Sequence, residues 1–403
     1  MTTATTTKNP SRLKKWGINI ALMLISIAVT IGAIALISPE LFNRALALII
    51  PAETIKFYVG MGDLFIAQPN TIAPPDDPNA ILDEYLLKWD EDGFRVPQNP
   101  SDDYRVIALG DSFTEAPNVG TPWTDILAEK SGFSVRNMGF RGYGPVEEAL
   151  VMKEYEADTT ADYVIIAFFE GNDISNAQSY TWQYTAENPF ELPHIARQAM
   201  REDPRQVLLW TFEQPQGDNF KYPVMLTLNG TSQPMAFLEG YIWNNVVSAE
   251  VLEASRPVEM TRQSWRDIQA VSADACVILA YLPSKETIYL PYVGDEADVA
   301  KIFDNPMHLI LSDVGFLSVV KDPEGSYQKW AEGRTVIRDT IEKYTAMDGI
   351  AFVDLTPHFE ERASAGDVLF YVYDTHPNQQ GHDLIGSVLA DAIKTNPCGN
   401  GQS

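Results

Sequence analysis

Short apolar runs alternate with longer segments of mixed polarity from Tyr104 onward. The apolar runs predict five strands: Val106–Leu109, Phe133–Val135, Tyr163–Phe169, Cys276–Tyr281 and Ile350–Val353. Segments of helix length, such as Pro122–Lys130 and Pro145–Tyr155, lie between most of these runs. This alternation predicts an α/β fold whose central parallel sheet is covered by helices on both faces. Ligands of such sheets bind at the carboxyl ends of the strands.

The alternation stops between residues 175 and 266, a stretch rich in aromatic side chains. Four of the eight tryptophans of the chain lie there: Trp182, Trp210, Trp243 and Trp265. We interpret this stretch as an insertion that forms a cap over the sheet edge. Its aromatic rings could stack on sugar rings or line an acyl pocket, or they could form only the core of the cap itself.

An uncharged apolar segment, Gly17–Ile37, is 21 residues long, and a helix of that length can cross a bilayer. Four basic residues precede it: Lys8, Arg12, Lys14 and Lys15. The positive-inside rule therefore predicts a transmembrane anchor, with residues 1–16 as a cytoplasmic basic tail and the rest of the chain outside the cytoplasm. A cleaved signal peptide is the competing interpretation, although its apolar region is usually shorter. Residues 38–103 are predicted to form a stalk or collar, and residues 394–403 a C-terminal tail.

The composition narrows the range of partners. The chain has 403 residues and a formal net charge of −26 at pH 7. Because an acidic body repels phosphate backbones, nucleic-acid binding is not expected, and the predicted membrane contact is the N-terminal anchor. The two cysteines are Cys276, in a predicted strand, and Cys398, in the tail. A disulfide between them could form, but their number alone does not fix the cellular compartment.

A serine stands at the end of the first predicted strand, in the tripeptide Gly110-Asp111-Ser112. Glycine permits a sharp turn there, and the serine N–H lies near a helix N-terminus, where unpaired amides favour negative charge. This setting suits a nucleophile whose attack creates an oxyanion. The alternative is a serine that only caps a helix.

His376 is the histidine best placed to act as a base for such a serine. It follows Asp374 in a segment whose proline and glycine predict a rigid loop before a helix from about His382 to Ile393. His382 is predicted to start that helix. The remaining histidines are predicted to be surface or packing residues: His194, His308 and His358.

Donors for an oxyanion are predicted after the next two strands. The segment Asn137–Gly144 supplies glycines whose backbone N–H groups can approach a ligand closely. The segment Glu170–Asp173 follows the third strand, so the Asn172 side chain can offer an amide at the same sheet edge. Either segment alone could be an ordinary turn. The prediction depends on their coincidence with the serine and the histidine at the edge of one sheet.

These segments resemble the SGNH (GDSL) hydrolase superfamily. Four blocks within about residues 104–393 carry the resemblance: Gly110–Thr114, Asn137–Gly142, Gly171–Asp173 and Asp374–His376. The resemblance implies a three-layer α/β/α sandwich of flavodoxin-like topology. It implies Ser112 as the nucleophile, His376 as the general base and Asp374 as the acid that orients the base. It also implies an oxyanion hole formed by the N–H of Ser112, the N–H of Gly142 and the side chain of Asn172.

Two positions depart from the family pattern. Glu170 replaces the glycine that usually opens the third block, which could alter the turn or add a carboxylate near the site. Asp374 lies two residues before the histidine rather than three, which leaves open whether it orients the imidazole. This Asp-x-His spacing, together with the predicted anchor, resembles membrane-associated proteins of exopolysaccharide acetylation such as the alginate O-acetylation proteins.

The expected function is that of an extracytoplasmic serine ester hydrolase, with a carbohydrate O-acetyl esterase as the specific expectation. The alternatives are an O-acyltransferase that modifies a cell-surface polysaccharide and a non-catalytic carbohydrate-binding scaffold. The expected substrate is an acylated small molecule or carbohydrate. No metal or other cofactor is expected, because the sequence shows neither clustered metal ligands nor a Gly-rich nucleotide loop. The sequence does not indicate an oligomeric state.

Overall fold

The computed structural model describes residues 58–61, 64–67, 70, 72–73, 87–156, 160–177, 223–272, 275–303, 326–395 and 397–398, which all belong to one compact unit of the chain. The predicted anchor, Gly17–Ile37, lies outside these residues, and so does the first half of the predicted cap. None of the helices in the described ranges combines the length and the apolar character needed to cross a bilayer.

The described strands are, in chain order, β1 (Tyr58–Met61), β2 (Leu64–Ala67), β3 (Ile72–Ala73), β4 (Leu87–Lys88), β5 (Val106–Leu109), β6 (Val135–Asn137), β7 (Tyr163–Phe169), β8 (Val224–Leu228), β9 (Thr231–Met235), β10 (Cys276–Leu282) and β11 (Ala351–Asp354). The described helices are α1 (Ser112–Glu115), α2 (Trp123–Ser131), α3 (Pro145–Tyr155), α4 (Glu239–Asn244), α5 (Ala249–Glu253), α6 (Arg256–Val271), α7 (Lys285–Tyr289), α8 (Glu296–Phe303), α9 (Ser326–Gly333), α10 (Val336–Asp348), α11 (Thr356–Ala365) and α12 (Gln379–Lys394). A short 3-10 turn, Leu290–Tyr292, follows α7.

Five strands form a central parallel sheet, as predicted. They lie in the order β6-β5-β7-β10-β11, and every neighbouring pair is parallel. The chain passes from β5 outward to β6 and then crosses back to β7, so the direction of winding reverses between β5 and β7. In open α/β sheets the ligand site lies at such a reversal, beyond the carboxyl ends of the strands.

Alternate residues of β5 enter two separate hydrophobic layers, one on each face of the sheet. Val106 and Ala108 belong to the layer that contains α2 and α12, whereas Ile107 and Leu109 belong to the layer that contains α3, α6 and α10. All four side chains are buried, because a parallel strand with helices on both faces has no side that contacts solvent. This packing explains why the strand appears in the sequence as a continuous apolar run.

The second strand of the sheet lies two residues later than predicted. The apolar pattern indicates Phe133–Val135, but β6 begins at Val135 and ends at Asn137. The pattern misses the end of the strand because its last two residues are polar. Arg136 forms ion pairs with acidic residues beside the strand, and Asn137 Nδ2 donates a hydrogen bond to Thr114 O (2.6 Å).

Helix α12 begins earlier than predicted. Its first residue is Gln379, and the Asn378 side chain caps it by accepting a hydrogen bond from Gly381 N (3.1 Å). His382, predicted to start the helix, is fully buried in its first turn, where Nδ1 accepts a hydrogen bond from Trp123 N (3.3 Å). Burial lowers the pKa of His382 to about 3, so this side chain is a neutral packing residue.

Parts of the predicted cap and stalk pack into the body of the domain. Helix α6, within which the predicted cap ends, contacts the sheet layer through Trp265 and Ile268. A helix between two parallel strands is the crossover that this fold requires. In the predicted stalk, Trp89 and Phe94 are buried in the same layer. Residues 178–222 lie outside the described residues, so the cap itself stays a prediction.

Cys276 and Cys398 form a disulfide bond, the link that the sequence left open. The bond joins the first residue of β10 to the C-terminal tail. Because it connects residues 122 positions apart, it restricts the unfolded chain. Such a cross-link typically stabilises a fold by about 2–5 kcal/mol.

Candidate active site

A tight turn presents Ser112 at the carboxyl end of β5. Gly110 has a φ of +153°, and a Cβ at this position would collide with Thr114 Oγ1. Asp111 caps helix α1, because its Oδ1 accepts a hydrogen bond from Phe113 N (2.8 Å). Ser112 is the first residue of α1 and is partly exposed, whereas its neighbours in the turn are buried. The strand, the glycine turn and the cap thus hold the serine at the sheet edge with access to solvent.

A chain of hydrogen bonds joins Ser112, His376 and Asp374. His376 Nε2 lies 2.8 Å from Ser112 Oγ, and His376 Nδ1 lies 2.5 Å from Asp374 Oδ1. The same Asp374 oxygen accepts a hydrogen bond from the His376 backbone N–H (2.9 Å). One carboxylate oxygen of Asp374 therefore binds both the ring and the backbone of His376, two positions later. The two-residue spacing thus allows the acid to contact the base directly. With Nδ1 donating to the carboxylate, Nε2 is the acceptor that faces the serine.

Opposing effects act on the ionisation of the His376–Asp374 pair. Burial lowers the pKa of His376, but the hydrogen bond and charge of Asp374 outweigh burial and hold this pKa above the usual 6.5. Burial raises the pKa of Asp374, but the hydrogen bonds and charge of His376, together with the charge of Lys285, outweigh that effect and hold this pKa below the usual 3.8. The result is an ionised carboxylate beside a histidine that can take up a proton near neutral pH.

Lys285 tethers the loop that carries the acid and the base. Its side chain is fully buried, and Nζ donates hydrogen bonds to the carbonyl oxygens of Tyr371 (3.2 Å), Val372 (3.0 Å) and Asp374 (2.9 Å). Burial lowers the pKa of Lys285 to about 8, and the charges of Glu286 and Asp374 oppose that shift. Three carbonyl acceptors on one ammonium group fix the path of the loop relative to the end of β10.

Asp111 also links the nucleophile turn to the end of β7. Its Oδ2 accepts a hydrogen bond from Asn172 Nδ2 (3.1 Å), so the Asn172 amide lies beside the helix that begins with Ser112. Gly142 has a φ of +80° and is exposed, and its N–H donates no hydrogen bond to any other described residue. The structure therefore connects Asn172 to the nucleophile turn through the Asp111 carboxylate. It connects Gly142 to that turn through the preceding residue, Arg141, which donates a hydrogen bond to Glu115 Oε2 (2.8 Å).

Glu170, which departs from the family pattern, is a buried structural residue. Its carboxylate accepts hydrogen bonds from Tyr281 Oη (2.7 Å), Ser284 Oγ (3.0 Å) and Asn245 Nδ2 (3.3 Å). Burial raises the pKa of Glu170, and these hydrogen bonds oppose the shift. The side chain thus joins the turn after β7 to β10 and α7, and none of these bonds reaches the nucleophile or the base.

Sequence motifs do not reveal three charged residues around this site: Glu115, Arg141 and Lys285. Glu115 is fully buried, and its Oε2 accepts a hydrogen bond from Arg141 Nε (2.8 Å). For two of them, the only indication in the sequence is their place relative to the serine or to a predicted strand. Glu115 lies three residues after the serine, and Lys285 follows shortly after an apolar strand, where a solvated charge is not expected.

The other histidines lie away from this hydrogen-bond chain or outside the described residues. His358 is exposed on α11, as predicted for a surface residue, and His194 and His308 are not among the described residues. Within the described ranges, no three His, Cys, Asp or Glu side chains form a group that could hold a metal ion.

The sequence profile of the GDSL-like lipase/acylhydrolase family matches residues 108–384, more than half of the chain. The fold and the serine–histidine pair define the class, a hydrolase of ester bonds with a central parallel sheet. The chain belongs to the GDSL-like lipase/acylhydrolase family. No curated protein shows significant similarity to the sequence.

Several solved structures are similar to this chain at low sequence identity. One is an extracellular lipase from Streptomyces rimosus, at 16% identity, with 71% of this chain and 98% of that chain covered and a TM-score of 0.35. A second is phospholipase A1 from Streptomyces albidoflavus, at 13% identity, with 72% and 99% covered and a TM-score of 0.35. A third is a mutant acetyl-xylooligosaccharide esterase from Geobacillus, at 13% identity, with 72% and 94% covered and a TM-score of 0.33.

Proposed function

We propose that this chain is a serine esterase that forms an acyl-enzyme on Ser112. The hydrogen-bond chain from Asp374 through His376 to Ser112 carries the proposal. In this arrangement a base can remove the serine proton while a carboxylate holds the base in the correct tautomer. Ser112 follows β5, at the edge where the direction of winding of the sheet reverses and where ligands bind in α/β folds, and this position supports the same conclusion.

In the first half of the reaction, His376 Nε2 takes the proton of Ser112 Oγ as this oxygen bonds to the ester carbonyl carbon. Asp374 stabilises the imidazolium that forms. The carbonyl oxygen becomes an oxyanion, for which the N–H groups of Ser112 and Gly142 and the Asn172 amide are the donors. When the tetrahedral intermediate collapses, the bond to the alcohol oxygen breaks and the alcohol leaves with the proton from His376.

In the second half, water attacks the acyl-serine. His376 takes a proton from the water as its oxygen bonds to the acyl carbon, and the same donors stabilise a second oxyanion. The carboxylic acid leaves when the bond to Ser112 Oγ breaks, and His376 returns the proton to the serine. A sugar hydroxyl in place of water would give acyl transfer by the same steps.

We propose an O-acetylated carbohydrate as the substrate. Five large apolar side chains are exposed among the described residues, few for a surface that binds a lipid: Met225, Val251, Tyr327, Met347 and Tyr373. Tyr373 adjoins Asp374 in the loop of the base and is 58% exposed. A tyrosine ring in this position can stack on the apolar face of a sugar.

We place the catalytic domain outside the cytoplasm, with residues 17–37 as a membrane anchor and residues 1–16 on the cytoplasmic side. The uncharged length of the segment and the four basic residues before it support this orientation. The disulfide between Cys276 and Cys398 supports it independently, because disulfides persist mainly in oxidising compartments.

An O-acyltransferase is the second candidate, because the Asp-x-His spacing and the predicted anchor resemble proteins of exopolysaccharide acetylation. The two candidates share every catalytic residue and differ only in the acceptor, which is water for an esterase and a sugar hydroxyl for a transferase.

One experiment tests the proposal and separates the candidates. The full-length chain is assayed for release of acetate from an acetylated xylo-oligosaccharide and from 4-nitrophenyl acetate, with Ser112→Ala as the matched blank. We expect turnover that the variant lacks. Capture of the acetyl group by an added, unacetylated oligosaccharide would identify a transferase. Equal rates for the wild type and Ser112→Ala on both substrates would contradict the proposal.

A further inference from the structure

The carboxylate of Glu115 is buried beside the nucleophile and receives four hydrogen bonds. Oε2 accepts from Arg141 N (2.9 Å) and Arg141 Nε (2.8 Å), and Oε1 accepts from Arg141 Nη2 (2.8 Å) and Trp89 Nε1 (3.3 Å). Glu115 is the last residue of α1, the helix that Ser112 begins. The proposed reaction assigns no step to this carboxylate, although a fully buried charge is costly unless it is paired.

Arg141 is the residue directly before Gly142, whose N–H is a proposed oxyanion donor. Glu115 binds both the backbone N–H and the guanidinium of Arg141, so this residue is held to the helix of the nucleophile through its backbone and its side chain. The Gly142 N–H belongs to the next peptide unit along the chain. Gly142, with a φ of +80°, lies in an exposed turn that a hydrogen bond from Tyr143 N to Phe140 O (3.0 Å) closes. The contacts of Arg141 with Glu115 fix this turn to α1.

The rest of the turn packs against the same helix. A Cβ at Gly139 would collide with the Thr114 side chain, so the two backbones pass each other closely. Phe140 N donates a hydrogen bond to Gly110 O (3.0 Å), which joins the turn to the glycine before the nucleophile. The turn after β6 and the turn after β5 therefore form one unit, and the hydrogen bonds of Arg141 to the Glu115 carboxylate also join the two turns.

Arg95 also binds this unit. Its guanidinium is buried and donates hydrogen bonds to Glu115 O (2.9 Å), Val119 O (3.0 Å) and Ala116 O. These carbonyls follow α1, where the chain leaves the helix in a left-handed conformation at Ala116. The guanidinium satisfies acceptors that a four-residue helix leaves unpaired.

We propose that Glu115 and Arg141 are positioning residues that hold the Gly142 N–H at the distance from Ser112 that an oxyanion requires. This inference rests on the proposed esterase function and assigns to it a device that lies outside the catalytic residues. A donor that shifts by about 1 Å can cost on the order of 10²-fold in rate. Loss of one oxyanion donor costs about 10²–10³-fold in kcat.

The test uses the full-length chain with 4-nitrophenyl acetate and three variants: Glu115→Gln, Arg141→Met and Arg141→Lys. We expect Glu115→Gln and Arg141→Met to lower kcat by about 10- to 100-fold and to change KM by less than about threefold, because the oxyanion exists only in the transition state. Arg141→Lys keeps a positive charge opposite Glu115, and we expect its kcat to lie between those of Arg141→Met and the wild type. The double variant Glu115→Gln/Arg141→Met should lose no more of kcat than the more damaging of its two single variants, because the two residues act through one contact.

Asp348→Asn is the matched control, because Asp348 accepts a bidentate pair from Arg262 (2.6 and 2.8 Å) between α6 and α10. It should lower the thermal midpoint without lowering kcat more than about twofold. If Glu115→Gln does not fold, the two Arg141 variants test the inference alone. The Arg141 side chain is 18% exposed, so its replacement is expected to be tolerated better than that of the fully buried Glu115.

Two kinds of result would overturn the inference. Folded Glu115→Gln and Arg141→Met proteins with kcat within about twofold of the wild type would show that the pair is structural only. A rise in KM at unchanged kcat would show that the pair binds substrate rather than the oxyanion. If the wild type itself shows no turnover that depends on Ser112 and no labelling of Ser112 by a fluorophosphonate, the proposed function fails, and the inference fails with it.

Discussion

Ser112 Oγ and His376 Nε2 lie 2.8 Å apart, but the segments that carry them are held in different ways. Ser112 is held by its neighbours in the sequence, a glycine turn and the Asp111 cap. The loop that carries His376 and Asp374 is held by a residue distant in the sequence, Lys285, which donates to three of its carbonyls. The nucleophile is thus a local feature of the chain, and the base depends on tertiary contacts.

This difference predicts how each half of the site responds to substitution. A local turn keeps its geometry as long as the strand and helix on either side fold, so changes far from it have small effects on the nucleophile. A loop held by distant groups can shift while the core stays folded, because stability is not uniform across a structure. Substitutions at the tether should therefore affect the rate of reaction more than the substitution of a buried residue elsewhere.

The largest expected effect comes from removing either member of the reacting pair. Ser112→Ala and His376→Ala should each lower kcat by about 10⁴- to 10⁶-fold, and the double variant should be no worse than either single variant, because residues that act as a unit are non-additive. Steady-state rates on 4-nitrophenyl acetate measure this. An additive double variant would mean that the two residues act in separate steps.

The next largest effect is expected at the acid. Asp374→Asn should lower kcat by about 10³- to 10⁴-fold, because the imidazole loses the group that fixes its tautomer. Asp374 raises the pKa of His376 above 6.5, and activity requires neutral His376, so the wild-type kcat/KM should rise with pH through a midpoint above 6.5. In the variant that midpoint should move to lower pH. An unchanged midpoint in a pH series would show that Asp374 does not act on the base.

Lys285→Met tests the tether itself. The loop would lose three hydrogen bonds from one charged group, and we expect kcat to fall by about 10- to 100-fold through displacement of His376. Lys343→Met is the control, since Lys343 forms a surface pair with Glu253 (2.8 Å) and is 51% exposed. It should leave the rate unchanged. Equal rates for both variants would mean that the loop is held without Lys285.

The smallest effect on rate is expected at Glu170. Glu170→Gln should leave kcat within about twofold, because its partners lie away from the serine and the base, but it should lower the free energy of unfolding by about 1–3 kcal/mol. Burial raises the folded-state pKa of Glu170, so wild-type stability should fall as pH rises from the unfolded pKa toward the folded one. Glu170→Gln should lack this fall. Denaturant melts at several pH values measure both effects, and a large loss of kcat would place Glu170 in the site.

The comparison also explains what the sequence could predict. Val106–Leu109, Gly110 and Ser112 form a continuous segment whose strand, turn and helix start follow from local chemistry, and the structure has them as predicted. The Asp374–His376 segment is recognisable in the sequence as a block, but its spacing leaves the role of the acid open, and only the folded loop brings the carboxylate to Nδ1.

Residues whose partners are distant in the sequence leave little sign of their role in the sequence itself. Lys285 and Glu115 are single charged residues in buried segments, and only tertiary structure supplies the partners that make their burial tolerable. The apolar pattern does not predict the end of β6 for a related reason. Arg136 and Asn137 are polar, and the partners that stabilise them in the strand lie in other segments of the chain. The sequence predicts the start of this helix too late, at His382, because its proline and glycine favour a loop up to that residue. In the structure Asn378 caps a helix that begins at Gln379, and His382 is buried in its first turn.

The most direct test of the account is to trap the acyl-enzyme. The full-length wild type and Ser112→Ala are each mixed with 4-nitrophenyl acetate, quenched with acid within the first turnover, digested and analysed by peptide mass spectrometry. We expect an acetyl group on Ser112 in the wild type and no acetylated peptide from that segment in the variant. Acetylation of a different residue, or turnover by Ser112→Ala at the wild-type rate, would contradict it.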